Sequence, residues 1–277
     1  MTVGIVGLGL IGGSLAKSIK LHTDHRVLGM DIKETEMLKA ELVEAIDERL
    51  SDDNIGECDI VIVALYPGAI VEYITAQKDA FKKDALIVDC GGVKGNLCDT
   101  LFALTADCDF TFIGGHPMAG REYSGFQHAK DDLFERAAMI LTPRPNECIE
   151  QIARAKAFFL EIGFLRVVIC TPIEHDEMIA YTSQMAHIIS SAYVKSELAQ
   201  KHKGFSAGSF ADMTRVARLN EHMWTELFLE NPKPLVRELD EMIMRLMDYR
   251  AAIADGDKQS LTDLLREGRE IKETLSR

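Results

Sequence analysis

The sequence predicts an α/β fold, in which a doubly wound parallel sheet is followed by a domain made only of helices. Short runs rich in valine and isoleucine alternate with helical stretches through the first half of the chain. Because these runs are apolar at nearly every position, they are typical of parallel strands buried on both faces. Beyond Cys170 the strand-like runs stop and helical periodicity continues alone. We therefore expect a sheet domain over residues 1–168 and a helical domain over residues 169–277.

The elements of the sheet domain are predicted from composition and length. Strands are expected where a run is short and rich in β-branched residues, at residues 3–6, 26–30, 60–64, 86–89, 111–113, 139–141 and 165–169. Helices are expected between the earlier strands, at residues 11–21, 33–40, 68–78 and 94–104. Parallel strands need crossover connections, which place these helices on the two faces of the sheet.

The helical domain is predicted from the change in periodicity. Helices are expected at residues 174–200, 223–229, 234–254 and 258–275, separated by breaks at residues 204–208, 231–232 and 255–256. Pro232 and Pro234 suit the start of a helix, and Gly256 suits a turn. The apolar side chains of residues 235–253 share one helix face. We expect that face to pack against another helix, in this chain or in a partner.

Composition and charge exclude several classes of protein. The chain has 277 residues, 47% of them hydrophobic, with 31 Lys and Arg against 44 Asp and Glu and a formal net charge of −13. The apolar fraction suffices for a buried core and argues against wholesale disorder. The negative charge argues against nucleic acid or an anionic membrane as partner. A bound anion must be held locally, by a few cations or backbone N–H groups.

The sequence does not predict export, a membrane span or a metal site. No apolar run reaches the roughly 20 residues that cross a bilayer, and the N-terminal segment lacks the basic start of a signal peptide, so we expect a cytoplasmic protein. Six scattered cysteines without a C-x-x-C pair predict reduced thiols. Glu174, His175, Asp176 and Glu177 lack metal-binding spacing. We interpret them as a helix start, where acidic residues favour the helix dipole.

A glycine-rich loop follows the first predicted strand. Gly7, Gly9 and Gly12 form the pattern G-x-G-x-x-G between a strand and a helix. The first glycine permits a tight turn, the second lets the backbone approach a pyrophosphate, and the third lets the helix pack closely on the strand. The N–H groups of Leu10 and Ile11 lie at the helix N-terminus, which attracts phosphate. The loop therefore predicts a dinucleotide site.

Asp31 supports that prediction, because it ends the next strand at the distance where an acid binds the ribose 2′-hydroxyl. An acid at this position also repels a 2′-phosphate, so NAD is favoured over NADP. Lys33 is the nearest cation and weakens that preference only slightly. The alternative is a glycine-lined turn beside a surface acid.

Two further segments follow predicted strands at the edge of the sheet where open α/β proteins bind ligands. They are residues 89–95, DCGGVKG, and residues 114–122, GGHPMAGRE. His116 is predicted to lie in a glycine-rich loop after a strand. It is a candidate general base there because imidazole titrates near neutrality. A structural or simply solvated histidine is the alternative.

Together these motifs resemble the prephenate and arogenate dehydrogenases of tyrosine biosynthesis. The resemblance is carried by the glycine pattern, the DCGGVKG segment, GGHPMAG followed by Glu122, and Arg215 with the later WTELFLEN. It implies a homodimer of a Rossmann-type domain and an all-helical dimerisation domain, with contact through the C-terminal helices. It also implies that NAD oxidises a cyclohexadienol such as prephenate, with loss of the ring carboxylate as CO2 and without a metal.

The resemblance also implies roles for individual residues. His116 would accept the proton of the substrate hydroxyl, and Arg215 would bind a substrate carboxylate through its planar guanidinium. His187 and Trp224 would lie near the substrate. From the residues alone, pairing of Arg215 with Asp212 or with a helix C-terminus is the stronger explanation, and packing accounts about equally well for the histidine and the tryptophan.

Four residues of the middle segments complete the expected site. Gly92, beside the cofactor, lies where the family often has serine, so a water, a backbone group or a nearby hydroxyl must replace that side chain. Arg121 lies where threonine is frequent and could add a cation for the substrate or reach over the cofactor. Lys94 is a candidate anion anchor, and Glu122 could pair with the ammonium group of arogenate.

The residues leave three other functions open. An arogenate dehydrogenase would produce tyrosine directly. A 3-hydroxyacid-type dehydrogenase would need a lysine on the first long C-terminal helix, and Lys195 lies too far along it. A non-catalytic NAD-sensing regulator would retain the glycines and Asp31 but has no need of His116 together with Arg215. For a prephenate dehydrogenase, we expect these last two residues to flank one pocket beside the nicotinamide.

Overall fold

A computed structural model describes residues 1–120 and 123–275. The described residues form an eight-stranded sheet, whose strands are β1 (Thr2–Val6), β2 (Arg26–Met30), β3 (Glu48–Arg49), β4 (Ile60–Val63), β5 (Leu86–Asp89), β6 (Thr111–Pro117), β7 (Ala138–Thr142) and β8 (Arg166–Ile169). Their spatial order is β3-β2-β1-β4-β5-β6-β7-β8. Neighbours pair in parallel except β6 and β7, which are antiparallel. The predicted α/β fold is confirmed, and the strand order reverses between β1 and β4, where such sheets open a ligand crevice.

Helices flank the sheet and then build the C-terminal half alone. Those between strands are α1 (Leu10–His22), α2 (Glu34–Leu42), α3 (Pro67–Gln77), α4 (Gly95–Leu104) and α5 (Ile149–Glu161). After the last strand come α6 (Pro172–Ile179), α7 (Met185–Tyr193), α8 (Gly208–Thr214), α9 (Glu221–Glu230), α10 (Pro232–Ala254) and α11 (Lys258–Leu275). The predicted helical C-terminal half is confirmed. Among the described helices, none has both the length and the apolar character of a membrane span.

The central part of the sheet is buried on both faces because residues along β1, β2, β4, β5 and β6 alternate between two cores. On β4, Ile60 and Ile62 belong to one core, whereas Val61 and Val63 belong to the other. All four side chains are fully buried. Helices α1 and α5 contribute apolar side chains to the first core, and α3 and α4 contribute them to the second. The continuous apolar runs of the sequence reflect this two-sided burial.

The single helix predicted over residues 174–200 is wrong. A π turn over Ala180–Gln184 separates α6 from α7, and α7 ends at Tyr193. The hydroxyl of Ser196 then accepts from a backbone N–H and starts a separate short 3-10 segment. Because serine competes for backbone hydrogen bonds in this way, it favours the start of a helical turn over its interior.

Three elements lie outside the predictions, namely β3, α5 and α8. Strand β3 is only two residues long and therefore carries no periodic signal. Helix α5 did carry one, because Ala155, Phe158 and Phe159 recur at helical spacing and are buried against the sheet.

The apolar face of α10 is only partly covered within the chain. Leu235 and Ala252 are buried, and Leu239 and Met242 pack against the small core of the C-terminal half. Further along the helix, five large apolar side chains are more than half exposed, and four of them belong to the predicted face, Ile243, Leu246, Met247 and Ile253. The predicted packing face therefore continues beyond what this chain covers.

Candidate active site

The glycine-rich loop between β1 and α1 has a backbone that requires its glycines. Gly7 has a φ of +89°, and its N–H donates to the carbonyl oxygen of Met30 at 2.8 Å. A Cβ on Gly12 would lie 1.8 Å from the carbonyl oxygen of Gly7, so only glycine lets α1 start this close to the strand. A Cβ on Gly9 would meet no atom within 4 Å. The space beside Gly9 is therefore open to a ligand.

Asp31 directly follows β2 and lies beside this loop. One carboxylate oxygen accepts from the N–H of Leu8 and the other from the N–H of Lys33, each at 2.9 Å. These two hydrogen bonds hold the carboxylate in place. Leu10 and Ile11 form the start of α1, where backbone N–H groups have no partner within the helix. The structure thus brings the acid and the phosphate-binding type of loop together.

Asp89, at the end of β5, organises the segment that follows. Its carboxylate accepts from the N–H of Gly91 at 2.7 Å and from the N–H of Gly115 at 3.0 Å, which joins the loop to β6. It also forms an ion pair with Lys94, and both side chains are fully buried. The predicted role of Lys94 as an anion anchor is therefore wrong. Its ammonium group is fully buried and paired with Asp89, so it is not placed to contact a substrate carboxylate.

His116 lies within β6, not in a loop after the strand as predicted. The strand continues to Pro117 because it pairs with β7 in antiparallel register. The glycines before the histidine serve packing. A Cβ on Gly114 would lie 2.2 Å from Oγ1 of Thr142, and one on Gly115 would lie 2.4 Å from a backbone oxygen. The histidine is therefore held on a rigid strand, with its ring half-buried at the edge of the sheet.

Behind His116 lies a chain of hydrogen-bonding groups. Its Nδ1 is 2.9 Å from Nε2 of His175, and Nδ1 of His175 is 2.7 Å from Oδ1 of Asp176. The Asp176 carboxylate also accepts from the N–H of Lys94 at 2.8 Å and from the N–H of Gly95 at 2.7 Å. Because these two N–H groups lie at the start of α4, Asp176 holds the C-terminal half of the chain against the sheet.

Burial sets the protonation of both imidazoles. It lowers the pKa of His116 well below the ordinary value of 6.5, and the neighbouring His175 and Lys94 lower that pKa further. Burial also lowers the pKa of His175, although the hydrogen bond to Asp176 opposes this shift. Both rings are therefore neutral near pH 7. A neutral imidazole can accept a proton, which is the property that a general base needs.

A second cluster surrounds His187 on α7. Its Nδ1 lies 2.9 Å from the carbonyl oxygen of Val216, so this nitrogen is the donor, and its ring centroid lies 3.9 Å from that of Trp224. Arg215 immediately precedes Val216, follows α8 and is exposed. The fold thus brings three predicted substrate-binding residues into one neighbourhood, His187, Arg215 and Trp224.

Helix α9 connects the C-terminal helices to the sheet edge. The Gln184 amide donates to the carbonyl of Leu227 at 2.8 Å, and Asn231 donates to the Gln184 amide oxygen at 2.8 Å and to the carbonyl of Asp176 at 2.9 Å. A Cβ on Gly92 would lie 3.2 Å from a methyl carbon of Leu227. A serine at this position, which the resemblance leads one to expect, would therefore require the Leu227 side chain to shift by a few tenths of an ångström.

Sequence reasoning misses the role of His175 and Asp176. The interpretation of their segment as a helix start agrees with the structure, because Thr171 and Glu174 form a capping box at the start of α6. What it omits is that the middle of this segment is buried, with His175 only 1% exposed. A His–Asp pair inside an acidic first turn was the available signal.

Two predicted substrate-binding residues, Arg121 and Glu122, lie outside the described residues. Their roles stay predictions, and so does the division of the chain at residues 168 and 169.

The fold and this edge of the sheet define a dinucleotide-binding type of α/β protein with an appended helical half. Residues 15–169 match the family model described as prephenate dehydrogenase, nucleotide-binding domain. Residues 171–267 match the family model described as prephenate dehydrogenase, dimerization domain. The chain belongs to the prephenate dehydrogenase family of oxidoreductases.

Known relatives are similar in sequence over almost the whole chain. A prephenate dehydrogenase of Lactococcus lactis subsp. cremoris is 31% identical over 98% of this chain and 76% of the relative. A cyclohexadienyl dehydrogenase of Zymomonas mobilis is 31% identical over 99% of this chain and 95% of the relative. The crystal structure of prephenate dehydrogenase from A. aeolicus in complex with hydroxyphenyl propionate and NAD+ superposes with a TM-score of 0.86. It is 27% identical, and the match covers 99% of this chain and 98% of that one.

Proposed function

We propose that the protein catalyses the NAD-dependent oxidative decarboxylation of prephenate to 4-hydroxyphenylpyruvate. One observation carries the proposal. A neutral, half-buried imidazole, His116, lies at the ligand-binding edge of a dinucleotide-binding type of sheet with a hydrogen bond on its inner nitrogen. Relatives named prephenate dehydrogenase, at 30 and 31% identity over nearly the whole chain, support the choice of substrate.

The sheet edge fits a dinucleotide. The open space at Gly9, the N-terminus of α1 and the carboxylate of Asp31 are arranged as a pyrophosphate and a ribose require. Because Asp31 would repel a 2′-phosphate, the proposed cofactor is NAD. When bound, it supplies a nicotinamide that accepts the hydride from C4 of the substrate. The structural neighbour crystallised with NAD+ supports the same choice.

His116 is the proposed general base. As the hydride leaves C4 of prephenate, the imidazole accepts the proton of the C4 hydroxyl, and a ketone develops at that carbon. Loss of the ring carboxylate then produces an aromatic ring, so this second step needs little help from the protein. One positioned base and a correctly oriented substrate suffice, since each is a recognised source of rate.

The substrate carries two carboxylates, whereas the protein is strongly acidic, so cations must be placed locally. Arg215 is the proposed partner for a carboxylate, because a guanidinium binds a carboxylate through two parallel hydrogen bonds. Its neighbours His187 and Trp224 are proposed to line the same pocket. Arg121 and Glu122 remain candidates for this pocket from the resemblance.

Arogenate is the second candidate substrate. It carries an ammonium group in place of the keto group of prephenate, and Glu122 could pair with it. The similarity to a cyclohexadienyl dehydrogenase over 95% of that relative favours keeping this candidate.

We also propose that the protein works as a homodimer through its C-terminal helices. The exposed apolar side chains Ile243, Leu246 and Met247 on α10 support this assembly, because soluble proteins seldom leave such a row on one helix face uncovered. The match to a dimerization domain over residues 171–267 includes this helix.

The direct test is an assay of the purified protein with NAD, in which prephenate and arogenate are offered separately and NADH absorbance is followed. We expect turnover of prephenate.

His116→Asn should lower kcat by about 10²-fold or more, the scale of general-base loss, whereas His22→Asn, at the exposed end of α1, should not. Arg215→Ala should raise KM for the substrate and leave NAD affinity intact, with Arg136→Ala in the sheet domain as its control. Absence of turnover with either substrate would reject the proposal.

A further inference from the structure

The inner nitrogen of His116 is not left to solvent but contacts a buried partner. His175, 1% exposed, lies between the ring of His116 and the carboxylate of Asp176, which is 7% exposed. The two donor–acceptor distances along this chain are 2.9 and 2.7 Å. The three side chains therefore form one continuous hydrogen-bonded path from the sheet edge to the start of α4.

The direction of each hydrogen bond follows from the end of the path. Each oxygen of the Asp176 carboxylate accepts from a backbone N–H at the start of α4, so the group acts as an acceptor on both oxygens. An ionised carboxylate can only accept, so Nδ1 of His175 must carry the proton between them. Neutral His175 then has a lone pair on Nε2, and Nδ1 of His116 must be the donor to it. This leaves Nε2 of His116 with the free lone pair of a base.

We propose that His175 and Asp176 are positioning residues that hold His116 in its Nδ1–H tautomer and share the positive charge it acquires during the reaction. The inference rests on the function proposed above. The family often has a serine at the position of Gly92. We infer that His175 and Asp176 orient the catalytic region in place of that missing side chain.

The proton steps balance without a further reactant. The substrate O–H bond breaks and a bond forms from that proton to Nε2 of His116, while the C4 hydride goes to the nicotinamide of NAD+. The Nδ1–H bond of His116 can then break as the proton moves to Nε2 of His175. The positive charge passes to His175, whose Nδ1–H still donates to Asp176. A buried carboxylate at 2.7 Å thus faces the charge that the base gains.

The charged groups around the path are few. From the β5–α4 segment, Lys94 and Asp89 face the imidazoles as a buried ion pair. The charge of Lys94 lowers the pKa of both rings, and the charge of Asp89 raises the pKa of His175. From α9, Glu230 lies close enough to Asp176 for their charges to interact. Among the described residues, Asp176 is the carboxylate that hydrogen-bonds to His175.

If His175 had only a structural role, the expected effect of replacing it would differ. Asp176 already joins α6 to α4 through two backbone hydrogen bonds, and that role does not require an imidazole at position 175. If His175 only filled space, an apolar ring of similar size would serve as well. If it positions the base, removing its acceptor nitrogen changes the tautomer of His116.

The experiment combines NMR with kinetics on the full-length protein. In protein with 15N-labelled histidine rings, we expect His116 to be the Nδ1–H tautomer. His175→Gln retains an acceptor oxygen but cannot take up a proton, so it should retain that tautomer. His175→Phe removes both properties and should produce a mixture of tautomers. His22→Gln, at the end of α1, is the matched control for a histidine outside the path.

Measuring turnover of the same variants distinguishes a positioning role of His175 from a role in packing alone. For His175→Phe we expect kcat to fall about 10²-fold with KM for prephenate changed by less than about threefold, and for His175→Gln a loss of about tenfold. Wild-type kcat in His175→Phe would overturn the inference, and so would an Nε2–H tautomer of His116 in the wild-type protein. If His175→Phe fails to fold, the tautomer of His116 in the wild-type spectrum and the kcat of His175→Gln still test the inference. A wild-type protein that does not oxidise prephenate would reject the proposed function, while the tautomer measurement would still test the path.

Discussion

Nδ1 of His116 lies 2.9 Å from Nε2 of His175, although 59 positions separate the two residues in the chain. One belongs to strand β6 of the sheet and the other to the first turn of α6. The contact therefore joins the sheet to the C-terminal helices at the candidate base itself. Any displacement of α6 relative to β6 should alter the chemistry of His116, even if both halves remain folded.

The pH dependence of turnover should reveal the burial of this base. Because burial lowers the pKa of His116 well below 6.5, the imidazole stays unprotonated, and thus competent as a base, in mildly acidic solution. We expect kcat/KM for prephenate to hold its plateau below pH 6.5 and to fall only at lower pH. Measuring kcat/KM through the acid and neutral range at constant ionic strength tests this. An acid limb centred at or above 6.5 would contradict it.

Two alanine substitutions in the glycine-rich loop should affect different properties, stability for Gly12→Ala and NAD affinity for Gly9→Ala. Gly12→Ala places a methyl group 1.8 Å from a carbonyl oxygen, so the free energy of unfolding should fall by about 1–3 kcal/mol or more. Gly9→Ala meets no atom within 4 Å and should leave stability unchanged. Its methyl group would instead occupy the space proposed for the pyrophosphate, and NAD binding should weaken. Urea unfolding and NAD titration of both variants distinguish the effects. Normal NAD affinity in Gly9→Ala would argue against a pyrophosphate at this position.

Cofactor preference should depend on Asp31. Asp31→Ser removes the carboxylate proposed to bind the ribose hydroxyl, so affinity for NAD should fall about tenfold or more, the scale of a lost hydrogen bond to a charged group. Affinity for NADP should change less or improve, because the repulsion of the 2′-phosphate is also removed. Titration with both nucleotides measures the ratio, and Asp24→Ser at an exposed position is the control. A wild-type preference for NADP would contradict the assignment.

The buried ion pair should be a large contributor to stability when only one partner is removed. Lys94→Met leaves Asp89 buried without its counter-ion, and we expect a loss of about 3–5 kcal/mol in the free energy of unfolding. Lys20→Met breaks the partly exposed pair with Asp47 and should cost less than about 1 kcal/mol. Chemical denaturation of the two variants gives the comparison. Equal, small losses would show that the Asp89 carboxylate finds another partner.

The exposed row on α10 should control assembly. Leu246→Glu introduces a charge into a side chain that is 58% exposed in the single chain and is proposed to be buried between subunits. We expect sedimentation velocity to detect a dimer for the wild type and a smaller species for the variant. Leu42→Glu, on α2 and 84% exposed, is the control and should sediment as the wild type does. An unchanged dimer in Leu246→Glu would exclude this face as the interface.

Much of the fold could be predicted because its determinants are local. The β-branched runs, the helical periodicity and the glycine pattern each act within about a dozen residues, and the alternation of strand and helix then restricts the topology. The position of Asp31 beside the loop could be predicted for the same reason, since it depends only on the pairing of neighbouring strands β1 and β2. The short β3, the end of α7 at Tyr193 and the length of β6 were harder, because pairing partners and capping groups elsewhere decide them.

The chain by itself determined which groups are available, namely an imidazole in a glycine-rich segment after a strand-like run, a His–Asp pair in a helix start, and a lysine in a second glycine-rich segment. Only the tertiary structure decided their partners. The sequence predicts Lys94 to be an anion anchor, but in the structure it is buried in an ion pair with Asp89. The sequence predicts only a helix start at His175, whereas the structure buries this side chain against His116 of β6. The physical reason is that burial and long-range pairing set the charge, the tautomer and the accessibility of a side chain, and neither is encoded in the residues on either side of it.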